Sequence, residues 1–241
     1  MSAFVRTAIA AATFVFSAAA SAAPTQLISN GDFSAGLSGW TVVNQANGSG
    51  DWYLSTVGSN TPVSSHSTSG TGGSGNYAVT DQTGPGSHVL FQNFTVGAGA
   101  SSVIASFSMF ANDWSNVGPI NAGNLNFSPA RNQHARVDIL KSSANAFSVS
   151  ASDIIATLIA PMVDQGNDPH DFLSYSFDIT SAVAAGGSFM LRFAEVDNQS
   201  YFNVGIDNVS VLANTVPEPM SLALVGGALL GLAAARRTRR A

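Results

Sequence analysis

Residues 189–193 read Phe-Met-Leu-Arg-Phe, and this stretch decides the fold class because its large apolar side chains recur at every second position. The same alternation occurs in Ala-Arg-Val-Asp-Ile at residues 135–139 and in Tyr-Ser-Phe-Asp-Ile at residues 175–179. A period of two places apolar side chains on one face of a β-strand and polar ones on the other. The central part of the chain is therefore predicted to consist of β-strands.

Other short apolar runs, each bounded by turn-forming residues, extend this pattern along the chain. They predict strands at Thr41–Asn44, Trp52–Val57, Tyr77–Asp81, Val89–Val96, Val103–Ala111, Ile154–Ile159 and Val204–Leu212. Gly97-Ala98-Gly99 is interpreted as a hairpin connection, and Ala144–Ile155 is a segment where a helical turn is the alternative. About ten short strands without intervening helices predict an all-β fold, an antiparallel jelly-roll β-sandwich.

Two long polar stretches interrupt the strands. Gly58–Asn76 consists almost entirely of Ser, Thr, Gly and Asn, and Asn112–Gln133 is polar with two prolines and several asparagines. Both are predicted to be loops, which on a sandwich either carry the binding function or are mobile.

The segment from residue 23 to residue 213 is acidic and lacks cysteine. It contains thirteen Asp or Glu residues against four basic ones, which are Arg131, Arg136, Lys141 and Arg192. Such a surface repels phosphate backbones, so we expect no binding to nucleic acid. Without cysteine, disulfides and thiol chemistry are excluded, and the fold must depend on its core, its hydrogen bonds or a metal ion.

Two carboxylates fall on faces that the alternation predicts to be apolar. Glu195 continues the row formed by residues 189, 191 and 193, and Asp207 is in phase with Val209 and Val211. Burying an ionised carboxylate without a partner costs several kcal/mol or shifts its pKa. Calcium is one suitable partner. Arg192, backbone amides or a β-bulge that turns Asp207 outward are the alternatives.

Aromatic side chains are the residues in this composition that could stack on sugar rings. Trp52, Tyr53 and Trp114 are the predicted glycan contacts, and Trp114 stands at the start of a long polar loop. Packing in the core or at its rim is the alternative for both tryptophans. Trp40 is predicted to be a core residue.

No group of residues has the spacing of a catalytic site. The Gly-rich run at residues 70–75 matches a dinucleotide-binding pattern but lacks the strand and helix that give the pattern meaning, so it is interpreted as a loop. His170 and Asp171, next to Asp168, are interpreted as a solvated turn rather than a metal site. A glycosidase needs two placed carboxyl groups, and the segment contains a single glutamate, Glu195. We therefore expect no enzyme activity.

The first residues have the composition of a secretory signal. Arg6 precedes an uncharged apolar stretch at residues 7–18, and Ala20-Ser21-Ala22 fits the small-residue cleavage pattern. Residues 1–22 are therefore predicted to be a signal peptide, since the apolar stretch is short for a transmembrane helix of ~20 residues.

The last segment, residues 214–241, has three parts in a fixed order. Pro217, Glu218 and Pro219 precede an apolar run at residues 220–235, which is followed by Arg236, Arg237, Arg239 and Arg240. The arginines are predicted to stay on the cytoplasmic side of the membrane. This arrangement resembles the PEP-CTERM sorting signal of Gram-negative bacteria. The resemblance implies transient retention in the inner membrane, processing by an exosortase-type protease, and delivery to the cell surface or an extracellular matrix.

The two ends of the predicted sandwich also resemble a known family. Leu-Ile-Ser-Asn-Gly-Asp-Phe at residues 27–33, Gly39-Trp40, and Val-Gly-Ile-Asp-Asn-Val-Ser-Val at residues 204–211 are similar to the galactose-binding-like jelly rolls, which include many carbohydrate-binding modules. The resemblance implies a polysaccharide ligand. It also implies a structural calcium ion between Asp207 and the segment Asn30–Ser34, which contains Asp32.

These observations predict an exported, non-catalytic protein of the cell envelope or exopolysaccharide, with a glycan-binding domain at residues 23–213. The alternative is a structural or adhesive matrix protein without a small-ligand site, and a polysaccharide hydrolase is the third hypothesis.

Overall fold

The computed structural model describes residues 23–66, 75–115, 121–128, 130–163 and 168–215. The predicted signal peptide and the predicted sorting signal, including its apolar run, lie outside these residues. Ala23–Thr215 forms one compact unit. Within the described part of the chain, no helix has both the length and the apolar character needed to cross a bilayer.

Strands make up most of the described regular structure. They are β1 (Thr25–Gln26), β2 (Thr41–Asn44), β3 (Asp51–Thr56), β4 (Asn76–Asp81), β5 (Gly86–Val96), β6 (Ala100–Asp113), β7 (Gln133–Lys141), β8 (Ile154–Met162), β9 (Leu173–Asp178), β10 (Gly187–Asp197) and β11 (Phe202–Thr215), with one helical turn, α1 (Thr180–Val183), before β10. All the predicted strands are present with slightly different ends.

The strands form two antiparallel sheets. Sheet A has the order β3-β4-β11-β6-β9, with β1 beside β11, and sheet B has the order β2-β5-β10-β7-β8. The main core cluster lies between them and draws large apolar side chains from both sheets. The prediction of an all-β antiparallel jelly-roll sandwich is confirmed.

The alternation that predicted the fold also determines which residues face the core. Phe189, Leu191 and Phe193 are at most 8% exposed, and they lie in the main cluster with Val137 and Ile139. Phe193 pairs directly with Val137 in the neighbouring strand. One face of each strand thus supplies the core, as the period of two requires.

One local prediction is wrong, and one local alternative does not occur. Gly97-Ala98-Gly99 joins β5 in sheet B to β6 in sheet A, so it is a crossing between sheets rather than a hairpin. Residues 144–155 contain turns and the start of β8, and the helical turn forms instead at Thr180–Val183.

A β-bulge in β11 corrects the expected orientation of Asp207. The register with β6 shifts between Asp207 and Ser210, and Asn208 adopts a φ of 53°. Ile206 and Val209 consequently both join the main core cluster, whereas Asp207 pairs with Ser108 on the outer face of sheet A. The bulge that turns Asp207 outward was one of the alternatives that the sequence left open.

The opening segment packs against this bulge. The backbone N–H of Val209 donates to the carbonyl of Gly31 at 2.8 Å. Asn30 and Phe33 have φ values of 50° and 51°. Phe33 is fully buried, and its ring lies 5.4 Å from that of Trp40, which is 8% exposed. Trp40 is therefore a core residue, as predicted.

Sheet B carries a buried ion triad on the face opposite the main core. Asp138 accepts two hydrogen bonds from Arg136, both at 2.8 Å, and one from Arg192 at 2.5 Å. Arg192 also donates to the carbonyl oxygens of Ala146 and Ser148. Arg192 and Asp138 are fully buried and Arg136 is 6% exposed. The acidic partner of Arg192 is thus Asp138, and not Glu195 or Asp207.

At one end of the sandwich the chain passes repeatedly from sheet to sheet. Gly86, the first residue of β5, pairs with Asp197, the last residue of β10. Asp197 also pairs with Gln133 at the start of β7, and Phe202 at the start of β11 pairs with Asp113 at the end of β6. The connections β4–β5, β6–β7 and β10–β11 therefore leave from the same end, which we call the crossover end.

Candidate functional site

The crossover end contains a cavity of ≈ 340 Å³. It lies between the β4–β5 and β10–β11 connections, because both connections turn from one sheet to the other at this point. Most of its lining residues have polar side chains, and they include one carboxylate and one aromatic ring. The lining residues are Gln82, Thr83, Gly84, Pro85, Asp197, Asn198, Gln199, Ser200 and Tyr201.

Three rings form an aromatic cluster that includes one wall of this cavity. The imidazole of His66 lies 4.8 Å from the ring of Trp114 and 4.2 Å from the ring of Tyr201. The backbone N–H of Trp114 donates to the carbonyl of Tyr201 at 3.1 Å, and its indole Nε1–H donates to Asn203 Oδ1 at 3.3 Å. Tyr201 is 37% exposed and Trp114 is partly buried. We call His66, Trp114 and Tyr201 the aromatic cluster.

The aromatic cluster forms because part of the first long polar loop folds back to the crossover end. Asp81 Oδ2, at the end of β4, accepts hydrogen bonds from the backbone N–H groups of Val63 and Ser64 at 2.5 and 2.9 Å. The backbone N–H of His66 donates to Thr61 Oγ1 at 3.0 Å. These contacts hold His66 in place beside Trp114, so the described part of this loop contributes directly to the site.

Beneath the cavity lies a carboxylate–amide cluster, formed by Gln82, Asp113, Gln133, Glu195 and Asp197, in which no side chain is more than 3% exposed. Gln82 Nε2 donates to Asp197 Oδ2 at 2.6 Å and to Glu195 Oε1 at 3.3 Å. Gln133 Nε2 donates to Asp113 Oδ1 at 2.5 Å. Two amide side chains thus hold three carboxyl groups from both sheets at one end of the core.

Burial dominates the electrostatics of this cluster. It raises the pKa of Glu195 well above the usual value, and the neighbouring charge of Asp197 adds to the increase. Burial also raises the pKa of Asp197 to about 6, against the lowering effect of hydrogen bonds from Gln199 and Gln82. No ion pair between residues in the described ranges involves Glu195, Asp197 or Asp113. The three carboxyl groups instead accept hydrogen bonds from the side-chain amides of Gln82 and Gln133, from the hydroxyl and backbone N–H of Ser115, and from the backbone N–H of Gln199.

The predicted glycan contacts separate in the structure. Trp114 lies at the crossover end, where it joins the aromatic cluster. Trp52 is 2% exposed and belongs to the main core cluster, which is the core packing that the sequence left as its alternative. Tyr53 packs on a different cluster, around Tyr77 and Phe110 on the outer face of sheet A. Burial raises its pKa, with smaller contributions from Asp51 and Asp81.

Sequence reasoning missed two parts of the site. His66 lies in a stretch without any periodic signal, and only the fold-back of its loop brings it to Trp114. Asp197 could have been found, because it follows Glu195 by two residues and therefore lies on the same face of the strand.

The predicted metal ligands Asp32, Asp207 and Glu195 do not share one site. Asp32 is exposed, and its Oδ1 accepts hydrogen bonds from Ser34, which lower its pKa. Asp207 is fully buried and accepts from the backbone and side-chain nitrogens of Asn208. Across the described ranges, no three His, Cys, Asp or Glu side chains are arranged to hold a metal ion.

No protein-family model and no curated protein sequence matches the chain. Among solved structures, the chain is similar to the K3 cleaved adhesin domain of Lys-gingipain from Porphyromonas gingivalis, with 14% identity and a TM-score of 0.47 over 81% of this chain and 99% of that one. It is also similar to the carbohydrate-binding module TmCBM61 in complex with β-1,4-galactotriose, with 9% identity and a TM-score of 0.45 over 78% of this chain and 97% of that one. Likenesses of this size do not indicate what the present chain binds.

Proposed function

We propose that the protein is an exported, non-catalytic component of the cell envelope or exopolysaccharide matrix of a Gram-negative bacterium, and that it binds glycan at the crossover end. The observation that carries the binding proposal is the aromatic cluster of His66, Trp114 and Tyr201, with Tyr201 also lining the polar cavity.

The chemistry of the cavity suits a sugar. Sites for small ligands are concave, with aromatic side chains and a few placed polar groups that fix orientation. Here the phenol ring of Tyr201 supplies an apolar face, and Asp197, Asn198 and Gln199 supply hydrogen-bond donors and acceptors for hydroxyl groups. A neutral or weakly charged polysaccharide is favoured over an acidic one, because this end of the domain carries an excess of carboxylates.

Replacing the partly exposed rings is expected to weaken glycan binding without unfolding the protein. Tyr201→Ala and Trp114→Ala should each reduce affinity roughly 3- to 10-fold, since a ring contact contributes ~0.5–1.5 kcal/mol. Binding of the full chain, purified in mild detergent, is measured on immobilised β-1,4-galactan, mixed-linkage β-glucan and alginate.

The control for this experiment is Leu54→Ala, which removes another exposed apolar side chain, 41% exposed, from strand β3. It should bind as the unaltered chain does. Equal losses of affinity in all three variants would mean that glycan does not bind at the crossover end. No retention on any polysaccharide would favour the structural or adhesive matrix protein, and release of sugars from one of them would favour the hydrolase.

The export proposal depends on the tail at residues 214–241. Replacing Pro217, Glu218 and Pro219 with alanine is expected to leave the protein uncleaved in the inner membrane, because the apolar run and the following arginines still hold the chain there. The readout is the apparent mass and membrane fraction on a gel. Alanines at Asn214 and Thr215 serve as the control and should leave processing unchanged. Normal processing of the Pro-Glu-Pro variant would contradict recognition by a sorting protease.

A further inference from the structure

The carboxylate–amide cluster contains buried oxygen atoms that have no partner. Glu195 Oε2, Asp113 Oδ2 and Gln82 Oε1 are each inaccessible to solvent and accept no hydrogen bond. Glu195 and Asp113 are 0% exposed and Gln82 is 2% exposed. Buried polar atoms in folded proteins are nearly always satisfied, so three acceptors in one cluster indicate that something else belongs there.

The three atoms share a chemical character. All are oxygens that can accept a hydrogen bond or coordinate a hard cation, and two of them belong to carboxyl groups. The carboxylate of Asp197 shares the donor Gln82 Nε2 with Glu195. Burying several carboxylates without a counter-charge is costly, and no basic side chain within the described ranges pairs with them.

We propose that this cluster binds a calcium ion, with Glu195, Asp113 and the amide oxygen of Gln82 as protein ligands. Calcium takes six to eight oxygen ligands and accepts amide oxygens as well as carboxylates in an adaptable geometry. Magnesium fits less well, since it demands near-ideal octahedral geometry and loses its waters reluctantly. Gln82 and Asp197 line the cavity above the cluster, so an ion and its water ligands would enter from that side.

The orientation of the Gln82 side-chain amide explains why the carboxyl groups alone do not form a metal site. Its Nε2 atom points at both Glu195 and Asp197, where it acts as the donor, and its Oε1 atom is left without a partner. A rotation of the amide group exchanges the two atoms and turns Oε1 towards the carboxylates. A cation between the oxygens would stabilise this arrangement, so we expect ion binding and amide rotation to occur together.

The proposed ion would connect the two sheets. Gln82 follows β4 and Asp113 ends β6, both in sheet A, whereas Glu195 lies on β10 in sheet B. This site is separate from the calcium position that the sequence resemblance implies near Asp207, because Asp207 lies on the outer face of sheet A beyond the β-bulge. It does not depend on glycan binding.

The test is the melting temperature of the full chain in mild detergent, first stripped with a chelator and then titrated with calcium chloride. We expect a rise of roughly 5–10 °C once calcium exceeds its dissociation constant a hundredfold. Magnesium chloride at the same concentration should give a smaller rise.

Two variants locate the ion. Glu195→Gln and Asp113→Asn should each abolish the calcium-dependent rise in melting temperature. If one of the two variants does not fold, the other alone is enough for the test. Glu195→Gln should also melt no lower than the unaltered chain without calcium, because glutamine keeps an acceptor for Gln82 and removes a carboxyl group whose ionisation burial disfavours. Asp207→Asn is the matched control and should keep the full rise. An unaltered chain that does not respond to calcium would overturn the proposal, as would a rise that survives in Glu195→Gln and Asp113→Asn or disappears in Asp207→Asn.

Discussion

Replacing Gly31 with alanine is expected to lower the free energy of unfolding by roughly 3 kcal/mol. A Cβ atom at this position would lie 1.9 Å from the carbonyl oxygen of Val209. The neighbouring atom belongs to the backbone, and the same residue donates its N–H to the carbonyl of Gly31 at 2.8 Å. The opening segment would therefore have to separate from β11, with loss of this hydrogen bond. Urea-induced unfolding, followed by intrinsic fluorescence, measures the change.

Gly97→Ala is the matched control, since no atom lies within 4 Å of a Cβ atom placed there. It should change the free energy of unfolding by less than ~1 kcal/mol. The change can be a small stabilisation, because alanine reduces the conformational freedom of the unfolded chain. If Gly31→Ala lowered the free energy of unfolding no more than Gly97→Ala, the opening segment would not be packed closely on the bulge.

Replacing Asp138 with asparagine is expected to destabilise the protein by about 3–5 kcal/mol, because removal of one member of a buried ion group leaves the others without compensation. Asp138 is the shared acceptor of Arg136 and Arg192, and the replacement keeps its shape while removing its charge. Arg192 is fully buried, so solvent does not contact its guanidinium group. The loss should appear as a lower denaturation midpoint in urea with an unchanged slope.

The comparison for this variant is Asp178→Asn. Asp178 is exposed and accepts a hydrogen bond from the backbone N–H of Thr180 at 2.9 Å, which the asparagine carbonyl can still accept. Its replacement should therefore destabilise the protein far less than that of Asp138. Equal effects of the two replacements would mean that the ion triad does not hold sheet B together.

The strands could be predicted from the sequence because a half-buried sheet imposes a period of two on its side chains. Residues 189–193 and 135–139 follow this period without interruption, and their inward residues are those that the alternation indicates. The same assumption of a period of two gave the wrong orientation for Asp207. The bulge at Asn208 adds one residue to the strand and changes its phase, and no periodic pattern can indicate where that occurs.

The candidate site was only partly predictable, because its members come from distant parts of the chain. Trp114 was identified from its place at the start of a polar loop. Trp52 looked equivalent in sequence, yet it occupies an inward position of β3 and is buried. His66 approaches Trp114 only because Asp81 binds the backbone of its loop, which is a contact between residues that no local pattern connects.

The most direct test of the glycan site uses the indole N–H signals of the three tryptophans. A ¹⁵N–¹H correlation spectrum of the full chain is recorded before and after addition of an oligosaccharide from the polysaccharide that retains it. Trp40 and Trp52 lie in the main core cluster, whereas Trp114 lies in the aromatic cluster. The account predicts that the Trp114 signal shifts while the other two stay in place. Binding that leaves the Trp114 signal unmoved would contradict it.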